Sequence, residues 1–219
     1  MKVMVVSPHP DDETLGAGGS ILKFKDSGSN VYWLNITDVN VGGGYDDGFI
    51  KKRQTQIECV KEYYKFDEHI SLHFPPSGLN GNIMGELIDL IGRVFDRIKP
   101  DCIILPDCND AHSDHKYVFD AAFACSKIFR RPYIKRILTM EILSETNFGK
   151  PYNVFMPNLY VDITKYFDKK KYALSMYDTE LGEPPFPRSI EAITAQASIR
   201  GTEAGVLYAE AFKVIKEIE

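Results

Sequence analysis

The chain has 219 residues, a formal net charge of −5, 44% hydrophobic residues and four cysteines. That length suits one α/β domain with a sizeable core, and the acidic balance argues against a general nucleic-acid binder, which needs a basic surface. No run approaches the ~18 apolar residues of a membrane span, and the apolar start is too short for a secretion signal, so a cytoplasmic protein with reduced thiols is expected.

In chain order, "KVMVVS" reads as a buried parallel strand: short, β-branched and apolar. Thr14 to Asp26 reads as a helix ending near Gly28, and "VYWLNIT" as a second strand. "DVNVGGGYDDG" is a polar, glycine-rich loop, and Asp47 to Phe66 carries apolar residues at helical spacing. "HISLHF" is an alternating strand, "NGNIMGELIDLIGRVFDRIKP" an amphipathic helix stopped by Pro100, "DCIILP" a buried strand and Ser113 to Arg130 a helix. This alternation predicts a Rossmann-like, mostly parallel sheet with helices on both faces, within a single domain spanning residues 1–219. Farther on, "RILTMEILSET" and "NLYVDI" read as strands, "TKYFDKKKYALSMYD" as a helix and "ELGEPPFPRS" as a proline-rich loop. Ser189 to Ile218 reads as helical, with breaks at Gly201 or Gly205 as the alternatives. If helical, it aligns Ala195, Ile199, Val206, Ala209 and Phe212 in an apolar stripe.

The chemistry concentrates at two strand ends. After "VMVV" come His9, Asp11, Asp12 and Glu13; after "CIIL" comes "CNDAHSDHKY". In open α/β sheets, ligands bind at the carboxyl ends of strands. Carboxylates crowded at a buried end are costly without a positive partner, and a metal ion supplies one. Three of the five histidines fall in these clusters. His9 and Asp12 on one tight turn, with His115 from the neighbouring loop, make the two imidazoles and one carboxylate of an open zinc site. Read alone, "HPDDE" is also compatible with a turn whose aspartate caps the helix. "GAGG" lacks the G-x-G-x-x-G spacing of a dinucleotide site, so its glycines are assigned to close helix–sheet packing. His69, His73 and the "DKKK" run are assigned to structure and to a solvated helix face.

"PHPDDE" followed by "HSDH" resembles the PIG-L/LmbE-like family of zinc-dependent N-deacetylases, which remove acetyl groups from N-acetylglucosamine-type sugars. The resemblance implies that His9, Asp12 and His115 bind Zn²⁺, or another divalent ion such as Fe²⁺. It implies Asp11 as general base, His112 as the group that stabilises or protonates the reacting atoms, and Asp114 as its orienting partner. Arg53 matches a substrate-contacting arginine, with Gln56 where the family often has glutamate. "TDVN", ending at Asn40, stands where the family often has Thr-x-Gly-Glu. Asn40, and Glu141 at the end of a predicted strand, are therefore candidate sugar contacts. Bacterial relatives suggest a homo-oligomer, a trimer or hexamer, with no membrane or nucleic-acid partner. The expected function is metal-dependent deacetylation of an N-acetylated amino sugar. The alternatives are a zinc amidase acting on a non-sugar amide or thiol conjugate, and a sugar-binding protein of the same fold without chemistry.

Overall fold

The computed structural model describes residues 1–42 and 44–219, so Gly43 of the glycine-rich loop lies outside the described residues. Seven strands form one sheet: β1 (Lys2–Ser7), β2 (Asn30–Thr37), β3 (Glu68–Phe74), β4 (Cys102–Leu105), β5 (Arg136–Met140), β6 (Leu159–Asp162) and β7 (Ala209–Glu217). Their order is β3-β2-β1-β4-β5-β7-β6. The first five run parallel, and β7 runs antiparallel between β5 and β6. The helices are α1 (Asp12–Asp26), α2 (Asp47–Tyr64), α3 (Met84–Ile98), α4 (Ser113–Cys125), α5 (Phe167–Ser175) and α6 (Ile190–Ala204).

Strand alternation divides the core. Val3 and Val5 of β1 face α1, α5 and α6, whereas Met4 and Val6 face α3 and α4. Both faces are covered, which is why the parallel strands read as continuous apolar runs. The chain leaves β1 towards β2 and β3, then returns to β4 on the other side. The loops after β1 and β4 therefore open a crevice at the carboxyl end of the sheet. Among the described residues, no helix is long and apolar enough to cross a membrane.

The first half of the chain follows expectation, including the glycines of α1. A Cβ on Gly16 would lie 2.7 Å from Met140 Sδ, and one on Gly19 the same distance from Ile163. The second half corrects four expectations. The strand expected over "RILTMEILSET" stops at Met140, before Glu141. The helix beginning at Ser113 stops at Cys125 rather than Arg130. The helix expected from Ser189 to Ile218 ends at Ala204, because Gly205 adopts φ 71° and reverses the chain into β7. The stripe from Ala195 to Phe212 is thereby divided between a helix and a strand. Lys170, in the run read as a solvated face, is buried. Its Nζ donates to Glu210 Oε1 at 2.7 Å and to Leu15 O at 2.8 Å, while Glu210 accepts the Gly19 and Ser20 amides at 2.8 and 2.7 Å. This satisfied pair pins α1, the helix that carries the first polar cluster, to β7.

His69 and His73 have separate partners. His69 stacks on Trp33 with ring centroids 4.1 Å apart, and His73 Nδ1 lies 2.8 Å from Asp38 Oδ2. Burial pulls the His69 imidazole down from 6.5 to about 4. The unfolded chain therefore takes up this proton near pH 6.5, and the folded chain only near pH 4. The folded state has its full advantage above pH 6.5 and loses it as pH falls towards 4, by up to about 3 kcal/mol. His69→Phe keeps the ring on Trp33 and should flatten the fall of Tm across that window relative to wild type. Parallel Tm–pH curves for the two proteins would refute the assignment.

Candidate active site

The loops after β1 and β4 bring three imidazoles together. Ring centroids are 4.5 Å apart for His9 and His112, 5.3 Å for His9 and His115, and 5.7 Å for His112 and His115. His9 and His112 border a cleft of about 240 Å³ also lined by Asp11, Asp12, Arg53 and Arg188, with His115 buried behind them. α1 carries Asp12 in its first turn. His112 is the N-cap of α4, with His115 one turn inside that helix.

Among the described residues, two sets of three side chains could hold a metal ion: His9, Asp12 and His115, or His9, His112 and Asp114. Hydrogen bonding separates them. Asp114 already accepts the Ser77 amide at 2.7 Å and the Leu79 amide at 3.3 Å, and its Oδ2 lies 3.1 Å from His9 Nε2. His112 Nδ1 accepts the Asp114 amide at 3.1 Å. In the first set, Asp110 Oδ2 lies 2.8 Å from His115 Nδ1, while His115 Nε2 is buried with no hydrogen-bond partner, 3.3 Å from Asp12 Oδ2. A buried nitrogen left bare beside a carboxylate is expensive unless a cation sits there. A carboxylate on the opposite ring nitrogen is the usual support for a metal-binding histidine. His9 Nδ1 completes the group, 3.4 Å from Asp12 Oδ2. The residues therefore fit a divalent ion held by His9, Asp12 and His115.

The protonation behaviour has the same origin. Burial lowers the His9 imidazole, but the carboxylates of Asp114 and Asp12 outweigh it and push its pKa up to about 9. His115 is likewise raised against burial by Asp12 and Asp110. Asp12 would be raised by burial, but His115 and His9 hold it well below the usual carboxylate range. A field that attracts protons this strongly also attracts a cation. His112 behaves differently: burial and the positive charge of His9 lower its pKa. Because its Nδ1 is an acceptor, the neutral ring carries its proton on Nε2.

Asp11 occupies the N-cap position of α1, yet its side chain makes no capping bond. This removes the reading of "HPDDE" as an ordinary capped turn. Asp11 sits at φ 136°, ψ −30°, a conformation that costs an L-residue about 1–3 kcal/mol. Its Oδ2 accepts from Arg188 Nη1 at 3.2 Å. Burial and the adjacent Asp12 carboxylate push the Asp11 carboxyl up to about 7, against the pull of Arg188 and Arg53.

Four of the expected site residues have protein partners of their own. The Asp114 carboxylate faces His9, at 3.1 Å from Nε2 against 4.0 Å from His112 Nδ1, whereas the Asp114 amide donates to His112. Arg53 lines the cleft, but its fork is engaged within the protein by Pro10 O at 2.9 Å, Thr179 Oγ1 at 3.1 Å and Glu180. Asn40 accepts from Gln54 Nε2 at 3.0 Å and lines a neighbouring groove rather than the cleft. Glu141 does not line the cleft; its two oxygens bind Arg200 at 2.8 and 2.5 Å. The sequence reading missed Asp110, Glu145, Glu180 and Arg188. Glu145 accepts the His112 amide at 3.1 Å, and Glu180 joins Arg188 at 3.2 Å. Asp110 was visible inside the second cluster. Glu145 lay in a stretch read as strand that the structure leaves irregular after Met140, and Glu180 and Arg188 come from a loop that no periodicity marks.

A family model described as GlcNAc-PI de-N-acetylase, PIG-L, matches residues 4–126, more than half of the chain. The chain belongs to the PIG-L family. The matched stretch carries every candidate metal ligand and Asp11, but stops before Glu145, Glu180 and Arg188. A curated relative, the diacetylchitobiose deacetylase of Thermococcus kodakarensis, is 24% identical and aligns with 99% of this chain and 84% of its own length. The N,N'-diacetylchitobiose deacetylase of Pyrococcus horikoshii superposes with a TM-score of 0.79 at 22% identity, over 98% of this chain and 84% of that one. The 4-carboxy-2-hydroxymuconate hydratase of Pseudomonas putida KT2440 also superposes, with a TM-score of 0.77 at 16% identity, over 100% of this chain and 97% of that one. The same fold is thus found in a deacetylase and in a hydratase, and by itself does not fix the reaction.

Proposed function

We propose that this PIG-L protein is a zinc-dependent hydrolase that removes the acetyl group from an N-acetylated amino sugar. The observation that carries this reading is the bare, buried Nε2 of His115 beside Asp12, with a non-capping Asp11 next to it in an open cleft. Two imidazoles and one carboxylate are a donor set suited to catalytic zinc. His9, Asp12 and His115 would hold the ion, which would supply Lewis acidity and lower the pKa of water. Asp11 accepts the proton of the attacking water at its carboxylate and returns it to the amine nitrogen as the C–N bond breaks. His112, its tautomer fixed by the Asp114 amide, presents Nε2–H to the acetamide oxygen as that atom gains negative charge. Arg188 neutralises Asp11 until the proton arrives.

The deacetylase activities of the Thermococcus and Pyrococcus relatives favour deacetylation over hydration. The substrate class rests on those relatives and on the polar cleft. Acetate release from N-acetylglucosamine, its malate conjugate, a nucleotide-linked form and diacetylchitobiose tests the reading. At least one of these should yield stoichiometric acetate and free amine. No release from any of them by the zinc-loaded protein would overturn the amino-sugar assignment in favour of a non-sugar amide. Retention of an unaltered sugar would favour the binding protein.

A further inference from the structure

Glu13, the last acidic residue of "PHPDDE", has no part in the chemistry above, although its side chain is fully buried at the site. Its Oε2 accepts the Asp11 amide N–H at 3.0 Å, and its Oε1 accepts the hydroxyls of Thr14 at 2.6 Å and Tyr177 at 3.0 Å. The carbonyl on the other side of the same peptide unit, Pro10 O, accepts from Arg53 Nη1 at 2.9 Å. Both polar atoms of the Pro10–Asp11 peptide are thus held by buried side chains, one acidic and one basic. The next peptide unit is held too: Asp11 O accepts the Thr14 and Leu15 amides at 3.0 and 2.8 Å. These two planes define the φ and ψ of Asp11, the conformation that an L-residue avoids.

We propose that Glu13 and Arg53 are positioning residues that clamp the Pro10–Asp11 peptide and hold the Asp11 carboxylate over the cleft. The inference rests on Asp11 being the base of the proposed reaction. It gives Arg53 a different task from a substrate contact. Glu13 is tied to Tyr177, and Arg53 lies 5.7 Å from the centre of the same ring. Arg53 also binds Thr179 and Glu180, so the clamp is anchored on the segment that follows α5. Loss of either arm lets the peptide turn over and Asp11 relax, moving its carboxylate by an ångström or more. A displacement of that size costs about 10²-fold in rate.

Steady-state kinetics and the exchange rate of the Asp11 amide hydrogen, read by NMR on zinc-loaded protein, test the clamp. Glu13→Ala should lower kcat about 10²-fold with KM and zinc content unchanged, and should speed exchange at Asp11. Glu13→Gln should recover most of both. Its carbonyl can accept the Asp11 N–H, and its amide group can donate to the Thr14 and Tyr177 hydroxyl oxygens. Arg53→Lys should lower kcat rather than raise KM, because one ammonium cannot serve both Pro10 and Glu180. Tyr177→Phe, which removes a single hydrogen bond to Glu13, gives a smaller effect in the same direction should Glu13→Ala fail to fold. A rise in KM with kcat intact in Arg53→Lys would make Arg53 a substrate contact and overturn the clamp, as would unchanged Asp11 exchange in Glu13→Ala and Tyr177→Phe. If wild-type protein releases no acetate, the deacetylase reading fails while the exchange measurements still decide the clamp.

Discussion

His115→Ala should purify without the divalent ion and without turnover. Removing one of three ligands leaves two donors, and the buried oxygen of Asp12 loses the group that faces it at 3.3 Å. His9→Ala and Asp12→Ala should behave alike, and chelation of the wild-type protein should abolish activity until Zn²⁺ is returned. Asp110 extends the test beyond the ligands. It lies 2.8 Å from His115 Nδ1 and so fixes which nitrogen is left to face the proposed ion. Asp110→Ala should weaken metal affinity by about 10–100-fold while leaving the ligand set intact. Metal content by elemental analysis and zinc titration against a chelator read both effects. Full occupancy in His115→Ala would refute the site; unchanged affinity in Asp110→Ala would remove Asp110 from it.

How much of this was legible in the sequence follows from the range of the interactions. β1 to α4 repeats a local strand–helix pattern, and each strand is buried on both faces, so apolar runs and their breaks locate the elements. The candidate metal ligands were legible for the same reason: they sit at the ends of two such runs, and the turn from His9 to Asp12 is local. The contacts of Asp114 and Arg53 were not. Both depend on partners far along the chain, Ser77 and Leu79 for Asp114 and Thr179 and Glu180 for Arg53. Lys170 shows the same limit, since Glu210, forty residues away, makes its burial tolerable.

The C-terminal correction has a different origin. "AEAFKVIKE" carries apolar residues that a helix and a half-buried strand share, and periodicity alone does not choose between them. The decision is made by Gly205 in the left-handed region and by the open edge of β5, which β7 pairs antiparallel. Arg188 and Glu180 escaped notice because their loop has no period. The structure gives that loop a purpose, since its arginine reaches Asp11 from 177 residues away.

Asp11→Asn should keep the ion and the fold but lower kcat by about 10²–10⁴-fold, the range expected when a general base is removed. The amide is nearly isosteric and can still accept from Arg188, so what is lost is the capacity to take a proton. Asp11→Gly separates chemistry from structure more sharply. An ordinary N-cap aspartate stabilises its helix through a side-chain bond, but Asp11 makes none and sits at φ 136°. Glycine tolerates that conformation, so relief of about 1–3 kcal/mol of strain is set against about 0.5–1 kcal/mol of added unfolded-chain entropy. The buried carboxylate beside Asp12 disappears as well, which favours the folded state further. Zinc-loaded Asp11→Gly should therefore be inactive yet at least as stable as wild type, by denaturant unfolding at neutral pH. A variant that is clearly less stable but retains turnover would assign Asp11 to the fold and leave the reaction without its base. The opposite pair of results would mean that this strained turn is maintained for what the carboxylate does in the cleft, since it contributes nothing to holding α1 in place.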